Sequence, residues 1–127
     1  MYNVYVPSGD FERVTIGGCN LIVFGFTGAL GSLLLDLSSG CVMEKVEGDS
    51  SLSLVNTSLD SFNRCLAAFS AKFPLAEIED ADEAEERDNR VAREVEEEIC
   101  RIDRQVYAES SFWYEVRWSV AIGNFRD

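Results

Sequence analysis

Apolar and polar positions change rhythm along this chain. Over residues 2–55 the pattern is one of short runs, "FERVTIGG", "NLIVFGFTG", "GSLLLDLSSG" and "CVMEKVEGD". Each run is apolar or alternating and is closed by Gly, Ser or Asp, the punctuation of antiparallel strands joined by tight turns. "DLSSGCVMEKV" is the clearest hairpin, with Ser38, Ser39 and Gly40 as its turn. From residue 58 the period lengthens. Leu59, Phe62, Leu66, Phe69 and Phe73 step by 3, 4, 3 and 4 residues, one apolar stripe of a helix over 58–72. Thr57 and Ser58 are its candidate N-caps, with Asp60 three residues after Thr57 in a capping-box-like position. Pro74 ends it, because the residue before proline resists the α conformation.

A second stripe, Val91, Val95, Ile99, Ile102 and Val106, predicts a helix over 84–107 with a narrow apolar seam. Arg93 with Glu97, and Glu97 with Arg101, are possible i,i+4 pairs on its charged face. Between the two helices, residues 74–90 are acidic and nearly free of large apolar groups: a surface loop, an insertion, or the solvated start of the second helix. The tail "FWYEVRWSVAIGNF" fits both periods. Phe112, Tyr114, Val116, Trp118, Val120 and Ile122 alternate as in a strand, and Phe112, Trp113, Val116 and Val120 fit a helix capped by Ser110 or Ser111. The expected fold class is α+β, an antiparallel or mixed sheet packed against helices. The 127 residues suit one domain spanning 1–127.

Charge narrows the partners. The formal net charge is −12, with −3 on residues 1–73 and −9 on residues 74–127. Nucleic acid and anionic membrane demand a basic face, so neither is expected as a direct partner, and a basic protein is the natural complement. Residues 77–98 hold 12 acids among 22 positions, and Asp80, Asp82, Glu83 and Glu86 are the candidate contacts there. Phe112, Trp113, Tyr114 and Trp118 crowd four aromatics into seven residues. Trp113 is expected in the core, and Tyr114 and Trp118 are the candidate exposed anchors.

Candidate chemistry is sparse. Histidine is absent, which removes the Ser-His-Asp triad, the Cys-His pair and any His-ligated metal. Cys19, Cys41, Cys65 and Cys100 are too scattered for a zinc site and read as reduced, buried thiols. Carboxylate pairs such as Asp10 with Glu12, or Asp36 with Glu44 across the hairpin, would need a cleft to act as acid and base. "GGCNLIVFGFTGALG" lacks the Gly-Lys-Ser/Thr of a phosphate loop. No enzyme, cofactor or metal is expected. Without a basic n-region or apolar h-region at the start, and without an apolar run of about 20 residues, the expected location is the cytoplasm.

The order of motifs resembles the SUKH superfamily, most closely its fourth subfamily. "LDLSSGCV", with Asp36, Gly40 and Val42, is similar to the family's strand-turn-strand. "LVNTSLDSFNRCLAAF" is similar to its strand-to-helix junction, here Asn56, Ser58, Leu59, Phe62 and Leu66. "FWYEVRWSVAIGNF" is like its closing Trp and terminal Gly-x-Phe/Tyr, here Trp113, Gly123 and Phe125. The resemblance implies an α+β fold whose last segment is a helix, about 111–121. It also implies a cytoplasmic immunity protein that binds and neutralises one cognate polymorphic bacterial toxin, commonly a nuclease or nucleic-acid deaminase. The alternative is a non-catalytic adaptor of the same fold.

Overall fold

Hairpin turns dictate the sheet. The computed structural model describes residues 4–28 and 30–125, so the expected start of the sheet at residue 2 lies outside it. Strands β1 (Val6–Ile16), β2 (Cys19–Thr27), β3 (Gly31–Asp36), β4 (Val42–Val46) and β5 (Ser53–Asn56) form one sheet in the order β1-β2-β3-β4-β5. All neighbours are antiparallel, which resolves the expected "antiparallel or mixed". Gly17 and Gly18, both at positive φ (57° and 81°), make the two-residue β1–β2 turn, whose twist matches that of the strands. In the β3–β4 turn the Asp36 side chain accepts from the Ser38 N–H at 2.9 Å, and the Gly40 N–H donates to the Asp36 carbonyl at 2.8 Å. Gly40 sits at φ 78°, so Asp36 and Gly40 mark this turn for conformational reasons.

Three helices follow: α1 (Leu59–Ser70), α2 (Ala81–Ile102) and α3 (Phe112–Ala121). Ser58 caps α1, and the capping box closes on Ser61 rather than through Thr57 and Asp60. The Ser61 N–H donates to Ser58 Oγ at 3.0 Å, and the Ser58 N–H to Ser61 Oγ at 3.2 Å. Phe62, Cys65 and Phe69 are buried, Leu66 is half-buried, and Leu59, expected in the buried stripe, is 41% exposed at the helix's first turn. The α2 helix starts earlier and ends sooner than the expected 84–107. Asp80 caps its start by accepting from the N–H groups of Asp82 (2.9 Å) and Glu83 (3.0 Å), so residues 81–90 of the acidic stretch are helix. Val106 is buried, but from the turn after the helix. The ambiguous tail is helical, capped by Ser111, and Gly123 at φ 87° terminates it. The Arg101 ion pair is with Glu98, one turn back at i,i+3, rather than with Glu97.

The core lies between the sheet and the helices, with Phe62 at its centre. Its ring meets Tyr5 at 5.6 Å, Phe24 at 5.7 Å and Trp113 at 6.3 Å between centroids. A polar knot sits beside it. Asp103, the C-cap of α2, accepts at Oδ2 from Asn56 Nδ2 (3.1 Å), the Thr57 N–H (2.9 Å), Thr57 Oγ1 (3.0 Å) and Ser61 Oγ (2.9 Å). Asn56 in turn accepts from Trp113 Nε1 at 2.8 Å. Burial pushes the Asp103 carboxyl up, and the bonds from Thr57, Asn56 and Ser61 outweigh it, holding the group below the usual carboxylate value. β5, α1 and α2 therefore meet at one ionised oxygen, and α3 joins them one bond away through Trp113 and Asn56.

Phe62→Ala should lower unfolding stability by about 3–5 kcal/mol in urea denaturation, whereas Leu59→Ala should change it by less than about 1 kcal/mol. Asp103→Ala leaves the Thr57 N–H without its acceptor and the buried Asn56 amide with only the weak Cys65 Sγ contact at 3.5 Å, and should cost about 2–4 kcal/mol. Because the folded pKa of Asp103 lies below its unfolded value, its stabilisation is complete above about pH 4 and is lost as pH falls through the folded pKa. Asp103→Asn should flatten that part of the acid-unfolding curve.

Candidate functional site

α3 carries more apolar surface than the core can take. Phe112, Trp113, Val116 and Val120 are buried. The opposite stripe, Tyr114, Trp118 and Ile122 at i, i+4 and i+8, faces outward. Tyr114 is half-buried, Trp118 is 43% exposed, and Ile122, just past the helix end, is 72% exposed. A helix apolar on both faces is one whose second face awaits a cover.

α3 lies along α2, and charged side chains fix the contact. Glu96 Oε1 accepts from the Tyr107 hydroxyl at 2.7 Å and lies 3.2 Å from Arg117 Nε. Arg117 is buried, and among the described residues its Nε and Nη1 find no aligned hydrogen-bond acceptor, so attraction to Glu96 offsets its charge. Its guanidinium also lies over the Trp118 ring, 3.8 Å from the centroid. Tyr107, Tyr114 and Trp118 form a row of rings with centroid spacings of 5.9 and 6.2 Å. Burial, then the bond to Glu96, pushes the Tyr107 phenol well above its usual range.

Beside Trp118 runs a groove of about 380 Å³ lined by Ala81, Glu85 and Asn89 of α2 and by Trp118, Ala121 and Ile122. Asp80, Asp82, Glu83 and Glu86 are all exposed, but they do not act alike. Asp80 is occupied as the cap. Asp82 and Glu86, four residues apart, share the outward stripe of α2. Glu83 stands three turns before Glu94, on the side where Glu94 meets Lys72 at 3.4 Å, away from Trp118. Glu85 and Asn89, not singled out by charge counting, are the polar α2 side chains that line this groove with Trp118. Their i,i+4 spacing from Ala81 beside the apolar seam was the available signal. The polar pair Arg87 and Asp88 extends that seam inward: both are buried, Arg87 Nε lies 2.9 Å from Asp88 Oδ1, and Arg87 Nη1 donates to the Ala76 carbonyl.

The other candidates resolve into structure. Glu44 pairs in register with Leu33, so Asp36 projects from the opposite face of the sheet. Glu44 accepts from Thr27 Oγ1 at 2.6 Å while Asp36 holds its turn, and they form no acid–base dyad. Asp10 and Glu12 are both exposed on β1. Cys65 is buried, which pushes its thiol up to about 11, and burial raises Cys100 as well, so neither is an activated nucleophile. Among the described residues no group of three or more Cys, Asp and Glu could hold a metal, and no helix is long and apolar enough to cross a membrane.

The family model of the SUKH-4 immunity protein matches residues 6–118, from β1 into α3 as far as Trp118. No curated protein and no solved structure matches the chain.

Glu96→Gln leaves the Arg117 charge uncompensated and should cost about 1–2 kcal/mol, less than a fully buried pair because Glu96 is partly exposed. The raised Tyr107 pKa stabilises the fold up to the ordinary phenol range and ceases to do so as pH climbs through the folded value. In Glu96→Gln, an absorbance titration should show Tyr107 ionising at lower pH than in the parent.

Proposed function

The chain belongs to the SUKH-4 immunity protein family, and on that premise we propose that it binds and neutralises one cognate polymorphic toxin in the cytoplasm, by occlusion and without catalysis. The toxin is a nuclease or nucleic-acid deaminase, whose substrate groove is basic because it holds phosphates. The observation that carries this reading is the α2–α3 face, where Trp118 and Ile122 stand exposed beside the carboxylates of α2. The chain's net charge of −12 is complementary to such a groove. Asp82 and Glu86 steer the encounter, and Tyr114 and Trp118 anchor the complex once water is excluded. Asp80 contributes mainly by holding the helix start, and Glu83, on the side of α2 away from Trp118, adds only to the overall negative field.

Co-expression with the toxin encoded beside this gene should restore growth, and the two proteins should co-purify. No protection and no complex would sink the proposal, and a complex without protection would favour an adaptor. Asp82→Lys with Glu86→Lys should slow association about tenfold at low salt, with the difference fading as salt rises. Trp118→Ala should act instead on dissociation, weakening binding by about 2 kcal/mol or more. Glu83→Lys should change the association rate less than the Asp82/Glu86 pair does.

A further inference from the structure

We infer that the groove between α2 and α3 is a receptor for one arginine side chain of the partner; the inference rests on reading this face as the toxin contact and names what it grips. The lining has the three components a guanidinium requires. Trp118, 43% exposed, supplies an aromatic ring. The Arg117 guanidinium already lies over it, 3.8 Å from the centroid, so the ligand cation would meet the part of the ring left open to the groove. Glu85 is the one acidic side chain among the lining residues and gives the groove its sign. Asn89 donates its Nδ2 to the Glu85 carbonyl at 3.0 Å, which leaves Oδ1 to accept from a ligand N–H.

Shape and local charge agree. Ala81 and Ala121 keep the space between the helices open, and about 380 Å³ admits one long side chain rather than a folded element. Arg117, the cation over the Trp118 ring, is offset by Glu96 at 3.2 Å, so it does not cancel Glu85. Apolar Ile122 covers an arginine's methylene stem, while its head meets the Trp118 ring, Glu85 and Asn89. The comparable groove at the sheet corner, between Phe11, Phe24 and Leu59, has no ionised lining residue and lacks this complement.

The test is an NMR titration of the intact protein, reading the Trp118 indole Nε1–H, with N-acetyl-arginine amide and its neutral isostere N-acetyl-citrulline amide. A saturable shift is expected with the arginine compound at about fivefold higher affinity than with citrulline. Glu85→Gln, at an exposed position, should remove that preference while its thermal unfolding stays at the parent value. Equal affinity for the two compounds, an unchanged preference in Glu85→Gln, or no response at Trp118 would overturn the inference. Growth protection in co-expressing cells reports separately on the immunity reading. Protection by both the parent and Glu85→Gln, with no arginine preference in the titration, would sink the groove's role and leave that reading intact.

Discussion

The arrangement of the whole molecule hangs on one carboxylate oxygen. Asp103 Oδ2 gathers donors from the β5–α1 junction, and the same junction passes a bond through Asn56 to the indole of Trp113. Two short elements and one long helix would otherwise be joined to the sheet mainly by non-directional apolar contacts. A buried charge with its donors supplied fixes their angles, because any slip leaves polar groups unpaired in a dry interior. Trp113 ties α3 to this point, and α3 carries Trp118, so the geometry of the outer face inherits its precision from the inner knot.

The helices divide the work by face. The inward sides of α1, α2 and α3 bury Phe62, Phe69, Val95, Ile99 and Trp113 against the sheet. The outward side of α2 is carboxylate-rich, and the outward side of α3 is aromatic. Placing the two side by side puts long-range attraction next to short-range anchoring. For the proposed toxin contact, steering by charge would set how often a basic partner arrives, and desolvated aromatic contact how long it stays. Neither task requires catalytic groups; the chain has no histidine, and burial holds the Cys65 thiol above its usual range.

Much of the fold was legible from periodicity and turn residues. The Ser38–Gly40 turn, the Phe62 stripe apart from Leu59, the buried Trp113 and the three helices are present as spacing or motif indicated, with α2 at 81–102 rather than 84–107. What was hidden depended on contacts distant in sequence. Asp103 reads as one acid among many until the fold brings it to Thr57, 46 residues away in the chain. Asp60 matched the capping-box position, but Ser61 won because its hydroxyl serves both the cap and Asp103. The acidic stretch masked a helix start, since Asp80 is a cap and Arg87 with Asp88 continues the seam in polar form. The tail fitted strand and helix alike because α3 is apolar on two faces. The face itself was half visible: Trp118 and the acidic tract could be named, but their partners Glu85 and Asn89 emerge only from helix packing.

The central claim, that α2 and α3 together form the toxin-binding face, is tested most directly by hydrogen exchange of the protein alone and in complex with its toxin. The account predicts slowed exchange in residues 81–93 and 114–122 on binding, with β1–β3 unchanged. Slowing confined to β1 and the sheet corner around Phe11, with α2 and α3 exchanging as in the free protein, would contradict it.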